Sequence, residues 1–163
     1  MKKLLIIFIL IFSLFTAGCP KGQKSVRKAR ELSAQMQIYG IKLIEANIAS
    51  FKANEITQNQ LAELNKGTAL YVKAIDVYRA AIREAETIVN SGKPLPAGTL
   101  NQISVILNSQ VVEAFFDIME RLKIIPGAMS ETVKNILAGI RLTILALQGV
   151  FAELIQMEKE QWT

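Results

Sequence analysis

Three carboxylates lie close together in the sequence, at Glu113, Asp117 and Glu120. Their spacing of four and three residues places them on one face of a helix. Carboxylates arranged in this way can transfer protons or bind a metal ion inside a helical bundle. The alternative is a solvated acidic face whose repulsion is relieved by nearby bases or by Arg141 of a later helix. The chemical hypothesis is therefore a cation site or an acidic patch that binds a partner.

Missing residue types exclude most other chemistry. The 163-residue chain contains no histidine and a single cysteine. Without histidine it lacks the commonest general base, the commonest transition-metal ligand and every Ser-His or Cys-His nucleophile. One cysteine cannot form an intrachain disulfide, a cysteine-built zinc site or an iron–sulfur cluster. We therefore expect no catalytic residue, no metal ligand set and no cofactor.

The start of the chain has the pattern of a secretory signal peptide. Lys2 and Lys3 precede an unbroken apolar run at 4–12, and the uncharged stretch continues to Ala17. This stretch is too short to span a bilayer well, and it ends in small residues as a cleaved signal does. We predict that residues 1–18 are removed.

The sequence Ala17-Gly18-Cys19 closes this signal. Here the chain resembles the bacterial lipoproteins, whose lipobox places small residues directly before a cysteine, although Thr16 stands where leucine is usual. The resemblance implies cleavage before Cys19 and acylation of its sulfur with palmitate-type chains. In a diderm host it also implies the outer membrane as the default, because Pro20 stands where an aspartate would favour retention in the inner membrane. The alternatives are a secreted protein with an incidental cysteine and an uncleaved anchor.

The excess positive charge lies beside the predicted lipid. Residues 31–163 contain 12 bases and 14 acids, whereas residues 19–30 contain no acid. Such a segment is expected either to contact anionic lipid headgroups or to act as an extended, solvated linker. No aromatic residues alternate with these bases, so nucleic acid is not an expected partner. The five bases are Lys21, Lys24, Arg27, Lys28 and Arg30.

The remainder, 31–163, predicts an all-α domain with four helices in up-down-up-down order. Proline and glycine divide it into helices at 31–52, 57–91, 99–125 and 130–161. A helical turn starting earlier, at Ser25, is expected to fray because the bases there oppose the helix dipole. The helices are long and unequal, and the first is expected to be the short one. Thr57 and Thr99 each begin a capping-box pattern, and Ser130 is a further cap.

Apolar residues three and four positions apart predict the buried face of each helix. In the second and fourth helices these rows run over 61–89 and 133–154, with Thr68 as one polar member and with Tyr71 and Tyr78 in the core. In the first helix the row is Leu32, Met36, Tyr39, Leu43 and Ala46. In the third it is Leu100, Ile103, Leu107, Val111, Ala114, Ile118 and Leu122.

A strip of small residues lies beside the row of the fourth helix, at Gly139, Thr143, Ala146 and Gly149. Small residues let another helix approach closely, or they leave room for an apolar ligand. Close packing inside the bundle is the simpler explanation.

Three functions remain open. The first is a non-catalytic, lipid-anchored protein of the cell envelope that binds a partner protein or a second copy of itself through an apolar strip that the bundle leaves exposed. The second is a carrier or sensor that holds an apolar small molecule between helices. The third, an enzyme using Glu113 and Asp117 with a metal, is disfavoured by the absence of histidine.

Overall fold

The chain forms helices and no strand over the residues that the computed structural model describes, 20–160, with side chains described over 23–157. The predicted signal peptide (1–18) and Cys19 lie outside these residues. In order, the elements are α1 (Pro20–Lys52), α2 (Gln58–Asn90), α3 (Thr99–Ile106), a π-helical segment (Leu107–Val112), α4 (Glu113–Ile124) and α5 (Glu131–Glu160). We call the continuous run from α3 to α4 the third helix. The predicted all-α class is confirmed.

The helices form a four-helix bundle in which neighbours along the chain are antiparallel. α1 contacts α2 and α5, the third helix contacts α2, and α5 contacts α3 and the π-helical segment. α1 and α2 are 33 residues each, or about 50 Å long. The prediction that the first helix is the short one is therefore wrong; the third helix, 99–124, is shorter.

The first helix also begins earlier than predicted. α1 starts at Pro20, so residues 20–30 are helical and not an extended tether, and the expected fraying at Ser25 is wrong. Val26 and Ala29 are buried in the core and continue the heptad spacing of α1 toward its start. Burying a valine contributes about 1.5–3 kcal/mol, whereas a charge that opposes the helix dipole costs about 0.3–1 kcal/mol.

The predicted buried faces of α2 and α5 are largely confirmed, and that of the third helix is corrected at one position. Phe115 is buried where Ala114 was expected. From Ile103, core residues follow in three successive steps of four, which overshoots the 3.6-residue turn of an α-helix. The π-helical segment has i→i+5 hydrogen bonds and a wider turn, so it keeps Val111 and Phe115 facing the core.

A polar layer crosses the core between α1 and α2. The Asn47 side chain is buried, and its Nδ2 donates to Thr68 Oγ1 and to Asn65 Oδ1, each at 3.5 Å. Thr68 Oγ1 in turn donates to the Leu64 carbonyl at 2.9 Å. The burial of Thr68 is expected from the sequence, but that of Asn47 is not. The predicted buried row of the first helix consists of apolar residues alone, so it does not include Asn47.

Two of the three predicted helix caps are present. Thr57 Oγ1 accepts from the Gln60 amide, and Gln60 Oε1 accepts from the Thr57 amide, which completes a capping box. Ser130 Oγ accepts from the Val133 amide at 3.3 Å. The predicted capping box at Thr99 is wrong: Gly98, at φ +80°, is the N-cap, and it makes no side-chain bond.

Among the described residues, α5 is the one helix that is long and apolar enough to cross a bilayer, over Glu131–Met157. Of its most apolar window, 44% is buried inside the bundle. The core helix of a bundle passes the same test of length and composition.

The caps give a matched pair of variants. Thr57→Ala removes the hydroxyl that accepts from the Gln60 amide, and it should lower the free energy of unfolding by about 1 kcal/mol in urea denaturation. Thr99→Ala changes the same residue type at a helix start where no side-chain cap is made, and it should leave the midpoint nearly unchanged. Equal losses from both substitutions would show that the assignment of the helix starts is wrong.

Candidate interaction surface

The acidic face of α4 is largely neutralised. Arg121 Nε lies 2.7 Å from Asp117 Oδ2, and Arg121 Nη1 lies 2.6 Å from Glu63 Oε2 on α2. Lys123 Nζ lies 2.8 Å from Glu120 Oε1. The hydrogen bond from Arg121 to Asp117 raises the pKa of the guanidinium above its ordinary value. No group of three or more ligand side chains that could hold a metal ion occurs among the described residues.

Gly67 lets Arg121 join the two helices. A Cβ atom at Gly67 would lie 2.7 Å from Arg121 Cδ and 3.2 Å from Asp117 Oδ2. The missing side chain therefore leaves the space in which the Arg121 side chain crosses α2 to reach Glu63. Through Arg121, Asp117 of α4 is linked to Glu63 of α2. Glu120 pairs with Lys123 on its own helix, and Glu113 is exposed without an ion pair among the described residues, so the three predicted carboxylates are not brought together as a cation site there.

The predicted strip of small residues divides into two halves. Gly139 contacts α1, because a Cβ there would lie 2.5 Å from Tyr39 Cζ. Thr143 is buried and its Oγ1 donates to the Gly139 carbonyl at 2.8 Å. Ala146 and Gly149 are exposed, and a Cβ at Gly149 would meet nothing within 4 Å. The first half is a packing contact, and the second half belongs to the surface.

The basic residues of α1 are of two kinds. Arg27 pairs with Glu31 at 3.7 Å, and Arg30 pairs with Glu86 of α2 at 3.2 Å. Lys24 and Lys28 are exposed and have no ion-pair partner among the described residues. The side chain of the fifth base, Lys21, lies outside the described side chains.

An apolar strip on the outside of α5 is a feature that was not located from the sequence. Leu142 and Leu145 are 68% and 54% exposed. With the exposed small residues Ala138, Gly149 and Ala152 they follow steps of four, three, four and three. The same spacing governs the buried row of α5, so this helix has a heptad row on each of two faces. We call these five residues the outer strip.

The third helix exposes two further apolar side chains. Phe116 and Val105 are 59% and 53% exposed. Asn108 of the π-helical segment accepts a hydrogen bond from Gln148 Nε2 at 2.7 Å, and this bond joins the third helix to α5. After this bond, toward the end of the third helix, α4 makes no backbone contact with α5 within the described residues. Phe116 and Leu145 therefore lie on the side of this bond where the bundle is open.

Arg141 is the one charged residue of α5 between Lys134 and Glu153. It is exposed, and it has no ion-pair partner among the described residues. The expectation that Arg141 neutralises the acidic residues of the third helix is therefore wrong. It stands instead beside Leu142 at the edge of the outer strip.

Two tyrosines in the core carry hydroxyls that have no hydrogen-bond partner among the described residues. Tyr71 and Tyr78 are fully buried, and the ring of Tyr78 meets that of Phe151 edge-on at 6.2 Å. Burial raises the pKa of both hydroxyls well above the ordinary value of 10.0. Their rings stabilise the core, while the unpaired hydroxyls reduce that gain.

Replacing both tyrosines, Tyr71→Phe and Tyr78→Phe, should raise the free energy of unfolding at neutral pH by about 1 kcal/mol, because two unpaired hydroxyls are no longer buried. Since the folded-state pKa values are raised, the neutral forms stabilise the fold below pH 10, and this stability is lost as the pH rises further. Urea unfolding at neutral and alkaline pH measures both effects. A clear loss of stability at neutral pH would show that the hydroxyls have partners.

The two halves of the glycine strip also give a matched pair. Gly149→Ala adds a methyl group to open space in a helix interior and should stabilise the chain by up to about 1 kcal/mol. Gly139→Ala forces the Tyr39 ring to move, so it should be less stable than Gly149→Ala by about 1–3 kcal/mol. In a Tyr39→Ala background the two substitutions should become equivalent. A persisting difference would contradict the assigned contact.

No protein-family model, no curated protein and no solved structure matches this chain. A function can therefore be inferred only from the sequence and from the placement of its side chains. The bundle also leaves large apolar side chains exposed on α1, α2 and α4, and among the described residues the outer strip of α5 is the exposed set with a continuous heptad spacing.

Proposed function

We propose that this chain is a non-catalytic helical-bundle protein of the cell envelope, anchored to a membrane by lipid on Cys19, that binds a helical protein partner. The observation that carries the interaction role is the outer strip of α5 together with Phe116. Large exposed apolar patches are uncommon on proteins that act alone, and they mark binding surfaces. The anchor rests on the lipobox resemblance of residues 16–19.

The spacing of the outer strip favours a helix as the bound element. Alternating steps of three and four residues form the knobs and holes into which a second helix packs. Gly149 and the two alanines, Ala138 and Ala152, offer holes, and Leu142 and Leu145 offer knobs. An extended peptide would instead need an exposed sheet edge, which an all-α bundle does not supply.

The proposed location follows from the anchor. Two or three acyl chains, at about 0.8 kcal/mol per buried methylene, hold a protein on a bilayer almost permanently. In a diderm host, Pro20 after the acylated cysteine favours the outer membrane. Cys19→Ser should abolish palmitate labelling and leave an unprocessed precursor, and persistence of both would overturn the anchor.

The interaction is tested by a photoreactive residue placed at Leu145 in living cells. It should give a discrete crosslinked product, whereas the same residue at Lys73, exposed on α2, should give none. A product of twice the mass identifies a second copy, and any other mass identifies a partner protein. No product at Leu145, or the same products at both positions, would contradict the proposal.

Polar substitution separates binding from folding. Leu142→Gln and Leu145→Gln exchange exposed side chains, so the free energy of unfolding should change by less than about 0.5 kcal/mol. A photoreactive residue at Ala138 in this double variant should lose its crosslink. Ile144 lies between these two leucines but is buried, so Ile144→Gln serves as the contrast and should unfold the bundle.

A further inference from the structure

The outer strip of α5 has its large residues in one half and its small residues in the other. Leu142 and Leu145 are exposed in the first half, and Gly149 and Ala152 are exposed in the second. A Cβ atom at Gly149 would meet nothing within 4 Å, so nothing in the described part of the chain fills that space. A helix that packs along these four residues must therefore place small residues against the leucines and large residues against Gly149 and Ala152.

The same strip, in the opposite chain direction, meets this requirement. The steps between the four residues are three, four and three, so their spacing is symmetric about residue 147. When two copies of α5 lie antiparallel and are centred on this residue, Leu142 of one copy lies opposite Ala152 of the other, and Leu145 lies opposite Gly149. Each level of the contact then joins a large residue to a small one, which lets the two surfaces interdigitate.

A parallel pair of α5 helices does not meet the requirement. Each residue would then lie opposite its own equivalent in the other copy. Paired leucines would hold the helices apart at the levels of 142 and 145, while paired glycines would leave a gap at 149. The atoms that line such a gap lose their packing contacts.

Charge favours the antiparallel orientation as well. Arg141 and Glu153 are exposed at the two ends of the strip, and neither has an ion-pair partner among the described residues. In an antiparallel pair the arginine of one copy lies at the height of the glutamate of the other, whereas a parallel pair brings like charges to the same height. The two residues are on opposite edges of the strip, so they contribute attraction at longer range and not an ion pair.

We infer that the outer strip binds a second copy of this chain, with the two α5 helices antiparallel and centred on residue 147. The inference rests on the proposed function and names its partner. The exposed apolar rows of α1 and α2 are less suited to this contact, because Glu45 interrupts the isoleucine row of α1 and Lys73 interrupts the row of Leu70 on α2. The outer strip contains no charged residue.

Membrane anchoring is compatible with this pairing. Because neighbouring helices of the bundle are antiparallel, the end of α5 and the start of α1 lie at the same end of one copy. An antiparallel pair therefore directs its two proposed anchors, next to Pro20 of each copy, toward opposite ends. With both anchors in one bilayer the pair lies along its surface. Confinement to that surface raises the effective concentration of the two copies, which favours a contact made by a short strip.

Disulfide crosslinking in cells tests the arrangement with the full, anchored chain. Two copies with different epitope tags are produced together, one with Leu142→Cys and the other with Ala152→Cys, and a mild oxidant is added. The mixed disulfide should exceed either homodisulfide about tenfold, because equivalent residues are offset by about 15 Å along the helices and a disulfide needs Cα atoms within about 7 Å. As controls, Leu142→Cys with Lys73→Cys, and chains without an added cysteine, should give no product.

An exchange of large and small residues separates the contact from folding. Gly149→Leu extends into open space on its own bundle, so the urea midpoint should not fall. Present in both copies, it meets Leu145 of the other copy and should abolish the mixed disulfide. Adding Leu145→Ala to each chain restores a small residue opposite the new leucine and should restore the disulfide. An unchanged disulfide with Gly149→Leu alone, or no recovery in the double variant, overturns the inference.

Failure of this inference and failure of the proposed function give different results. A homodisulfide of Leu142→Cys without the mixed product would show a parallel pair and overturn the antiparallel contact. A photocrosslink from Leu145 to another protein, without the mixed disulfide, overturns the second copy as partner and leaves the proposed function in place. The absence of both products overturns both.

Discussion

The structure depends on one geometric constraint: four helices must each turn a row of side chains, three and four residues apart, toward a common axis. Where a row departs from that spacing, the backbone changes its helical geometry, and where side chains would collide, glycine leaves the space. The π-helical segment absorbs three successive four-residue steps in the third helix, so that Phe115 stays in the core. At Gly67 and Gly139 the absence of a side chain leaves space for the side chains of Arg121 and Tyr39, which would otherwise collide with a Cβ atom.

α5 carries two rows with this spacing. One heptad row packs into the core, and a second row, the outer strip, faces outward. Two apolar faces on one helix explain why its composition approaches that of a membrane-spanning segment although nearly half of its most apolar window lies inside the bundle. Where α4 makes no backbone contact with α5 among the described residues, Phe116 is also left exposed.

Much of the fold follows from the sequence, because the rows of α2 and α5 are long and regular and are closed by recognisable caps such as Thr57. The start of α1 does not follow, since its charges mark it as a linker and the burial of Val26 becomes evident only in the assembled bundle. The contacts at the surface are harder to predict from the sequence. The spacing of the acidic residues places them on one helix face, but it does not show that Arg121 reaches Glu63 through the space left at Gly67.

The buried Asn47 has a consequence for how the chain excludes alternative pairings of α1 with α2. In the observed alignment its Nδ2 donates to Thr68 and Asn65, while its buried Oδ1 has no partner among the described residues. A slip of one heptad in either direction would place it against Ile75 or Leu61, and a buried amide without a partner costs about 1–3 kcal/mol. Repetitive rows of apolar residues would tolerate such a slip, so this polar residue disfavours slipped alignments of the two helices.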